Sequence, residues 1–195
     1  MDDVIQISDA LVLEPISLED QSVLFELMQR VYTPAYAHFW EDQGNWYLNK
    51  MYSLENLKKD LQENGSYYYF VRSCLPARQV CESNMNPEYK TIGIFKIIEN
   101  CAYPEQPNRL GFKIHRIYLD AAVHGKGIGK QLMQYAEDRA KETNHTLLWL
   151  DAMDQHPQAM SFYKNLGYLK GSVQLLDFEL LYDLYRPIWY LYKHL

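Results

Sequence analysis

Three glycines fall within five residues at Gly125, Gly127 and Gly129, in the stretch His124-Gly125-Lys126-Gly127-Ile128-Gly129-Lys130. An apolar run at helical spacing comes directly after: Ile128, Leu132, Tyr135, Ala136 and Ala140. Glycines just ahead of a helix make an anion site. Successive backbone N–H groups and the positive end of the helix dipole face the ligand, and no side chain holds a phosphate away from them. Lys126 and Lys130 add positive charge. The chemistry open to this loop is to grip a phosphate or pyrophosphate.

Two kinds of phosphate loop fail on spacing. A Walker loop needs G-x-x-x-x-G-K-[ST]; counted back from Gly129-Lys130, its first glycine falls at His124 and its Ser/Thr is Gln131. The dinucleotide fingerprint G-x-G-x-x-G, begun at Gly125 and Gly127, reaches Lys130 at its third glycine, and no acidic-ended strand comes at the right distance. G-x-G-x-G remains.

The elements that must position this loop read as an alternation of strands and helices. "ALVLEPIS" (Ala10 to Ser17) is a first strand. Ser17 to Asp20 has the form of a capping box, and a helix runs from there to about Tyr32. An aromatic-rich region leads to a short helix around Leu54 to Leu61, closed by Gly65. "SYYYFVR" and "TIGIFKII" are strands separated by a long loop, Ser73 to Lys90, and a second loop holds Pro104 and Pro107. In "GFKIHRIYL" the apolar phase slips: Phe112 and Ile114 are even, Ile117 and Leu119 odd. Such a slip near His115 and Arg116 marks either a β-bulge or a strand buried on both faces. "TLLWLDAM" is a strand covered on both faces, Pro157 opens a helix that ends at Gly167, and two strands close the chain. The expected fold is α/β: one domain over residues 1–195, with a mixed central sheet and helices on both faces.

With these motifs in place, the chain resembles the GNAT superfamily of N-acetyltransferases. Its motif (Q/R)-x-x-G-x-(G/A) is met by His124 to Gly129, with histidine at the Gln/Arg position. "HPQAMSFYKNLGY" (His156 to Tyr168) is similar to N-x-x-A-x-x-x-Y-x-x-x-G-F, with His156 at the asparagine and Tyr168 at the phenylalanine. "KIHRIYL", "HGKGIGKQLM" and "LWLDAMDQHPQAMSFYKNLGY" look like segments of bacterial polyamine acetyltransferases of the PaiA type.

The resemblance implies acetyl-CoA as co-substrate, no metal, and transfer to a small-molecule amine, with spermidine or spermine as candidates. Pantetheine would lie between strands at Ile117-Tyr118-Leu119 and Trp149-Leu150-Asp151, with a backbone N–H at Tyr118 or Leu119 polarising the acetyl carbonyl. His124, Gly125, Lys126, Gly127, Ile128, Gly129 and Lys130 would hold the pyrophosphate. His156 would either touch the cofactor or cap its helix. Tyr163 matches the family's general acid. His115 stands where many members carry a glutamate base, with Asp151 and Asp154 as alternatives. An alkylammonium titrates near about 10.4, so a base is needed. The cluster Tyr36, His38, Phe39, Trp40, Glu41, Asp42, Trp46 and Tyr47 lies where members shape the acceptor pocket. Aromatic faces and carboxylates there, chiefly Tyr36, Phe39, Trp40 and Glu41, suit a cation. A protein or peptide acceptor, a non-catalytic acyl-CoA-binding module, and a homodimer all stay open.

Composition narrows the setting. Hydrophobic residues make up 48% and charged residues 23%, as in a globular protein. A net charge of −6 argues against nucleic acid, whose binding needs Lys and Arg. No apolar run reaches the about 18 residues of a membrane span, and the acidic N-terminus lacks a signal peptide's apolar stretch. Cys74, Cys81 and Cys101 show no CxxC spacing and leave one thiol over, so reduced thiols in a cytoplasmic protein are expected.

Overall fold

The structure, a computed structural model, describes residues 4–74 and 89–195. Among them are eight strands: β1 (Ile5–Ser8), β2 (Leu11–Pro15), β3 (Ser66–Ser73), β4 (Lys90–Tyr103), β5 (Gln106–Leu119), β6 (Leu147–Met153), β7 (Leu169–Leu175) and β8 (Pro187–His194). Five helices join them: α1 (Gln21–Tyr36), α2 (Asn45–Met51), α3 (Leu54–Gln62), α4 (Ile128–Glu142) and α5 (Pro157–Asn165). The strands form one mixed sheet in the order β1-β2-β3-β4-β5-β6-β8-β7. Of these pairs only β5 and β6 run parallel, and α4 makes the crossover that a parallel pair requires.

Alternation along the strands divides the interior into two cores. Leu13, Val71, Phe95, Ile97, Phe112, Ile114, Leu148 and Leu150 face α4 and α5. Tyr68, Phe70 and Ile94 face α1 to α3. Helix α4 buries Ile128, Leu132, Met133, Ala136 and Ala140, the stripe its sequence spacing demands.

Several boundaries differ from the sequence expectation. An additional strand, β1, precedes the first expected one, and the aromatic region contains α2, whose first turn is tied by Asp42 carboxylate oxygens to the N–H groups of Gly44 and Trp46. Helix α1 continues to Tyr36 through Pro34. The loop expected around Pro104 and Pro107 is a tight hairpin, with Tyr103 facing Gln106 across the turn. Pro107 is tolerated there because β6 pairs with β5 only from Phe112 onward, leaving that part of β5 an edge. Most of the expected Ser73 to Lys90 loop lies outside the described residues.

The phase slip in β5 is a bulge. Arg116 pairs with Lys96 and Ile114 with Ile97, so His115 is left over. Lys113, Arg116 and Tyr118 consequently share one face. Lys96 and Arg116, cross-strand neighbours and both buried, are bridged by one α3 carboxylate. Asp60 Oδ1 lies 2.7 Å from Lys96 Nζ, and Asp60 Oδ2 accepts from Arg116 Nη1. Glu63 Oε2 is a second acceptor for Lys96, at 2.8 Å.

Removing one member of a buried ion network leaves uncompensated charge behind, at a cost of about 3–5 kcal/mol. Asp60→Ala is therefore expected to shift the urea unfolding transition by that amount. A loss below about 1 kcal/mol, the scale of an exposed pair, would show that water already neutralises Lys96 and Arg116.

Candidate active site

The parallel pairing of β5 and β6 covers three residues, Phe112–Leu148, Lys113–Trp149 and Ile114–Leu150, and then stops. Beyond it the strands have other partners, β4 and β8, but none on the edges that face each other. The expected opening included Trp149 and Leu150; these are still paired, so the divergence begins at Asp151. Alternate backbone groups of Ile117 to Leu119 and of Asp151 to Met153 are thereby left facing a cleft.

That cleft is a cavity of about 240 Å³. His115, Arg116, Ile117 and Tyr118 line it from β5, and Asp151, Ala152 and Met153 from β6. Helix α5 contributes Ala159 and Tyr163, with His156 just before it. The far wall is aromatic: Tyr32 and Tyr36 of α1, then Trp40, then Tyr47 of α2. Tyr32 stacks on Tyr47 with ring centroids 4.7 Å apart, and Tyr118 stands edge-on to Tyr32 at 5.8 Å and to Tyr36 at 5.9 Å. Phe178 and Leu176, from the segment between β7 and β8, complete the enclosure with Ile188 of β8.

Of the expected acceptor residues, Tyr36 and Trp40 line the cavity and two do not. Phe39 is buried behind them, stacked on Tyr185 at 4.0 Å. Glu41 is exposed, and its backbone N–H donates to Leu180. Phe39 packs into the same core as Trp40 and Glu41 is turned to solvent, so the expected carboxylate is absent from the wall. Tyr32, Met51 and Met153 were missed; Tyr32 sits one helical turn before Tyr36, which was the available signal. Phe178 had none, since its segment shows no periodicity.

Burial sets the protonation states. It raises the Tyr163 phenol well above its usual value, with Tyr36 adding to the effect, so the hydroxyl keeps its proton at neutral pH. Tyr36 is pushed up to about 12, by burial and then by Tyr47. His115 goes the other way. Burial first, then the cations Arg116, Lys96 and Lys113, hold its imidazole well below the ordinary histidine range. Its Nδ1 is buried without a protein partner. Asp60, Glu63 and His115 bring donor atoms within 4.8 Å of one another, the spacing of a metal site. Their carboxylates are already taken up by Lys96 and Arg116, so a metal there would face two buried cations.

The glycine loop lies between the end of β5 and α4. Gly125 and Gly127 have φ of +73° and +79°, the left-handed region where a side chain is strained, and a Cβ at either would meet nothing within 4 Å. Gly129 differs: its Cβ would press on Phe162 Cζ at 3.3 Å. Lys126 and Lys130 are exposed, and His124 Nε2 bonds the Leu119 carbonyl at 3.1 Å. His156 precedes α5 without capping it. Its ring lies 5.3 Å from Tyr36, and burial, then His124 and His38, hold its pKa down.

An open anion loop, a helix N-terminus and a splayed parallel pair sit in the order that acyl-CoA binding needs, and residues 96–168 match the acetyltransferase (GNAT) family. That match spans 73 of the 195 residues. An uncharacterized N-acetyltransferase in the pepI 3'region of Lactobacillus delbrueckii subsp. lactis is 26% identical over 126 residues, 65% of each chain and so just under two thirds of that relative's length. The fold is shared with the PaiA N-acetyltransferase of Thermoplasma acidophilum in complex with coenzyme A, at a TM-score of 0.62 and 18% identity, covering 95% of this chain and 99% of that one. It is shared with the spermidine N-acetyltransferase of Vibrio cholerae in complex with CoA and spermine, at 0.60 and 17%, covering 96% of both. RimL, a ribosomal L7/L12 alpha-N-protein acetyltransferase in complex with coenzyme A, gives 0.66 and 13%, covering 99% of this chain and 98% of that one. Among the described residues no helix is long and apolar enough to cross a membrane.

The loop and His115 can each be probed by substitution. Gly127→Ala, by straining the left-handed position and placing a methyl in the open space, is expected to weaken coenzyme A binding about tenfold or more by calorimetry. Unchanged affinity would remove the loop from the cofactor site. A histidine with a depressed folded pKa lets the unfolded chain bind the extra proton, so its contribution to stability is complete above the unfolded value of about 6.5 and is lost as pH falls toward the folded one. The melting temperature should therefore decline from about pH 6.5 downward, and His115→Gln should flatten that decline.

Proposed function

We propose that the protein is an N-acetyltransferase that transfers the acetyl group of acetyl-CoA directly to the primary amine of a small molecule. One observation carries this reading: a single cavity is bounded by the open edges of β5 and β6 on one side and by tyrosine faces on the other. A thioester in the cleft would then meet an amine seated on the aromatic wall. Walls contributed by α1, α2, β5, β6, α5, β8 and the segment before it enclose the space, which favours a small molecule over a peptide laid in a groove. Alkylamines are the class that such a wall accepts, since ammonium groups bind aromatic faces.

In this reading the glycine loop from His124 to Lys130 holds the pyrophosphate, and backbone groups of Ile117 to Leu119 and of Asp151 hold the pantetheine arm. An N–H of Tyr118 or Leu119 on the open edge polarises the acetyl carbonyl. The neutral amine attacks that carbon, the C–N bond forms, and the C–S bond breaks as the tetrahedral intermediate collapses. Tyr163, kept protonated by its burial, gives its proton to the departing thiolate and is reprotonated by the second proton that the nitrogen sheds on becoming an amide. His115 takes the ammonium proton beforehand. A group held neutral passes a proton on rather than keeping it, and Glu63, 43% exposed, offers a route to solvent from the cluster it shares with His115. His156, against Tyr36, joins the cofactor side of the cavity to the acceptor side.

A thiol-release assay with acetyl-CoA and a panel of alkylamines, polyamines, aminoglycosides and short peptides tests the acceptor class. Turnover confined to peptides would overturn the small-molecule reading. Tyr163→Phe is expected to lower kcat about a hundredfold, within the range of general acid catalysis, with acetyl-CoA binding intact. Unchanged kcat would take the proton donor elsewhere.

A further inference from the structure

The cavity wall holds one carboxylate among the described residues, that of Asp151. One of its oxygens is occupied: Oδ2 lies 2.7 Å from Lys113 Nζ, and that ammonium also sits 4.3 Å from the ring centre of Trp149. The other oxygen, Oδ1, is buried and has no protein partner. A carboxylate oxygen shut away from water without a donor is unfavourable until something supplies one. Arg116, the cavity's other charged side chain, is turned to Asp60 and does not serve it. The position is chemically pointed: Asp151 is the first residue beyond the last β5–β6 pair, where the cleft opens.

We propose that Asp151 receives the acceptor's ammonium on Oδ1 and that Lys113, by holding Oδ2, restricts the cavity to acceptors bearing a single positive charge near the reacting nitrogen. This rests on the reading of the protein as a small-amine acetyltransferase and names its substrate class more narrowly. With Lys113 in place the pair is neutral overall, so one incoming cation makes the site singly positive. A second cation of a polyamine would meet Lys113 with no carboxylate left to offset it. The tyrosines cannot supply that charge, because burial keeps their hydroxyls protonated.

The test compares phenethylamine, with one charge, and spermidine, with three, on wild type, Asp151→Asn and Lys113→Met. Methionine keeps an unbranched apolar side chain and removes the ammonium that sits over Trp149. Asp151→Asn is expected to raise KM for phenethylamine about tenfold to a hundredfold, the range of a charge-assisted hydrogen bond, with KM for acetyl-CoA unchanged. Lys113→Met is expected to shift the kcat/KM ratio of spermidine to phenethylamine upward about tenfold. An unchanged amine KM in Asp151→Asn, or an unchanged ratio in Lys113→Met, overturns the proposal while leaving the acetyltransferase reading intact. Calorimetric binding of phenethylamine to the coenzyme A-loaded protein gives a readout that needs no turnover. Binding that Asp151→Asn abolishes supports the proposal even if neither amine is acetylated, and absence of binding to wild type overturns it.

Discussion

Strands β5 and β6 are joined over three residue pairs and then part, and the position of that parting fixes the cavity. Had the pairing continued, the backbone groups from Ile117 and from Asp151 onward would be used up in a ladder and the sheet would be closed. The bulge at His115 coincides with the end of the pairing and re-aims the rest of β5. It brings Arg116 and Tyr118 to the face already occupied by Lys113. The sheet then needs a counter-charge on that face, and α3 supplies it through Asp60 and Glu63. One irregularity in one strand thus sets the cleft, the charge beneath it and the helix that must cover both.

Much of this was legible in the chain because it depends on local periodicity. The glycines before α4, the stripe of α4 and the slip in β5 are all patterns within a dozen residues. The acceptor wall was harder. Tyr36 and Trp40 could be placed near a pocket, but which side chains of the turn around them face inward is decided by long-range contacts. Trp40 forms an isolated bridge with Leu181, and Glu41 donates its N–H to Leu180. Both partners come from a segment about 140 residues away in sequence that has no regular pattern. Helix α2 was missed for a related reason: its seven residues are too few for a periodic signal, and it starts from Gly44 in a left-handed conformation that Asp42 stabilises.

Five of the 17 tyrosines, Tyr32, Tyr36, Tyr47, Tyr118 and Tyr163, line the cavity. An electron-rich wall could be built of carboxylates, each costly to bury. Tyrosine offers an electron-rich face with no charge to desolvate. Tyr32, Tyr36, Tyr47 and Tyr118 stack or meet edge to face, and the Tyr47 and Tyr118 hydroxyls come within 3.4 Å of each other. The net charge of −6 is therefore carried away from the cavity wall, where one carboxylate stands beside its own lysine. Composition alone could not have shown this, because overall acidity and the local charge of the site are independent quantities.

The two histidines that depart from the family pattern can be understood through the backbone they touch. At the Gln/Arg position of the loop, His124 does not reach outward; its Nε2 bonds the carbonyl of Leu119, the last residue of β5. The side chain ties the glycine loop to the end of β5. His156, at the asparagine position, leaves α5 uncapped and packs instead near Tyr36. It links the helix that carries Tyr163 to the acceptor wall. Both side chains make a contact that spans two parts of the site. The relative positions of Leu119, Tyr36 and Tyr163 are held by the two cores on either side of the sheet, which pack against all three.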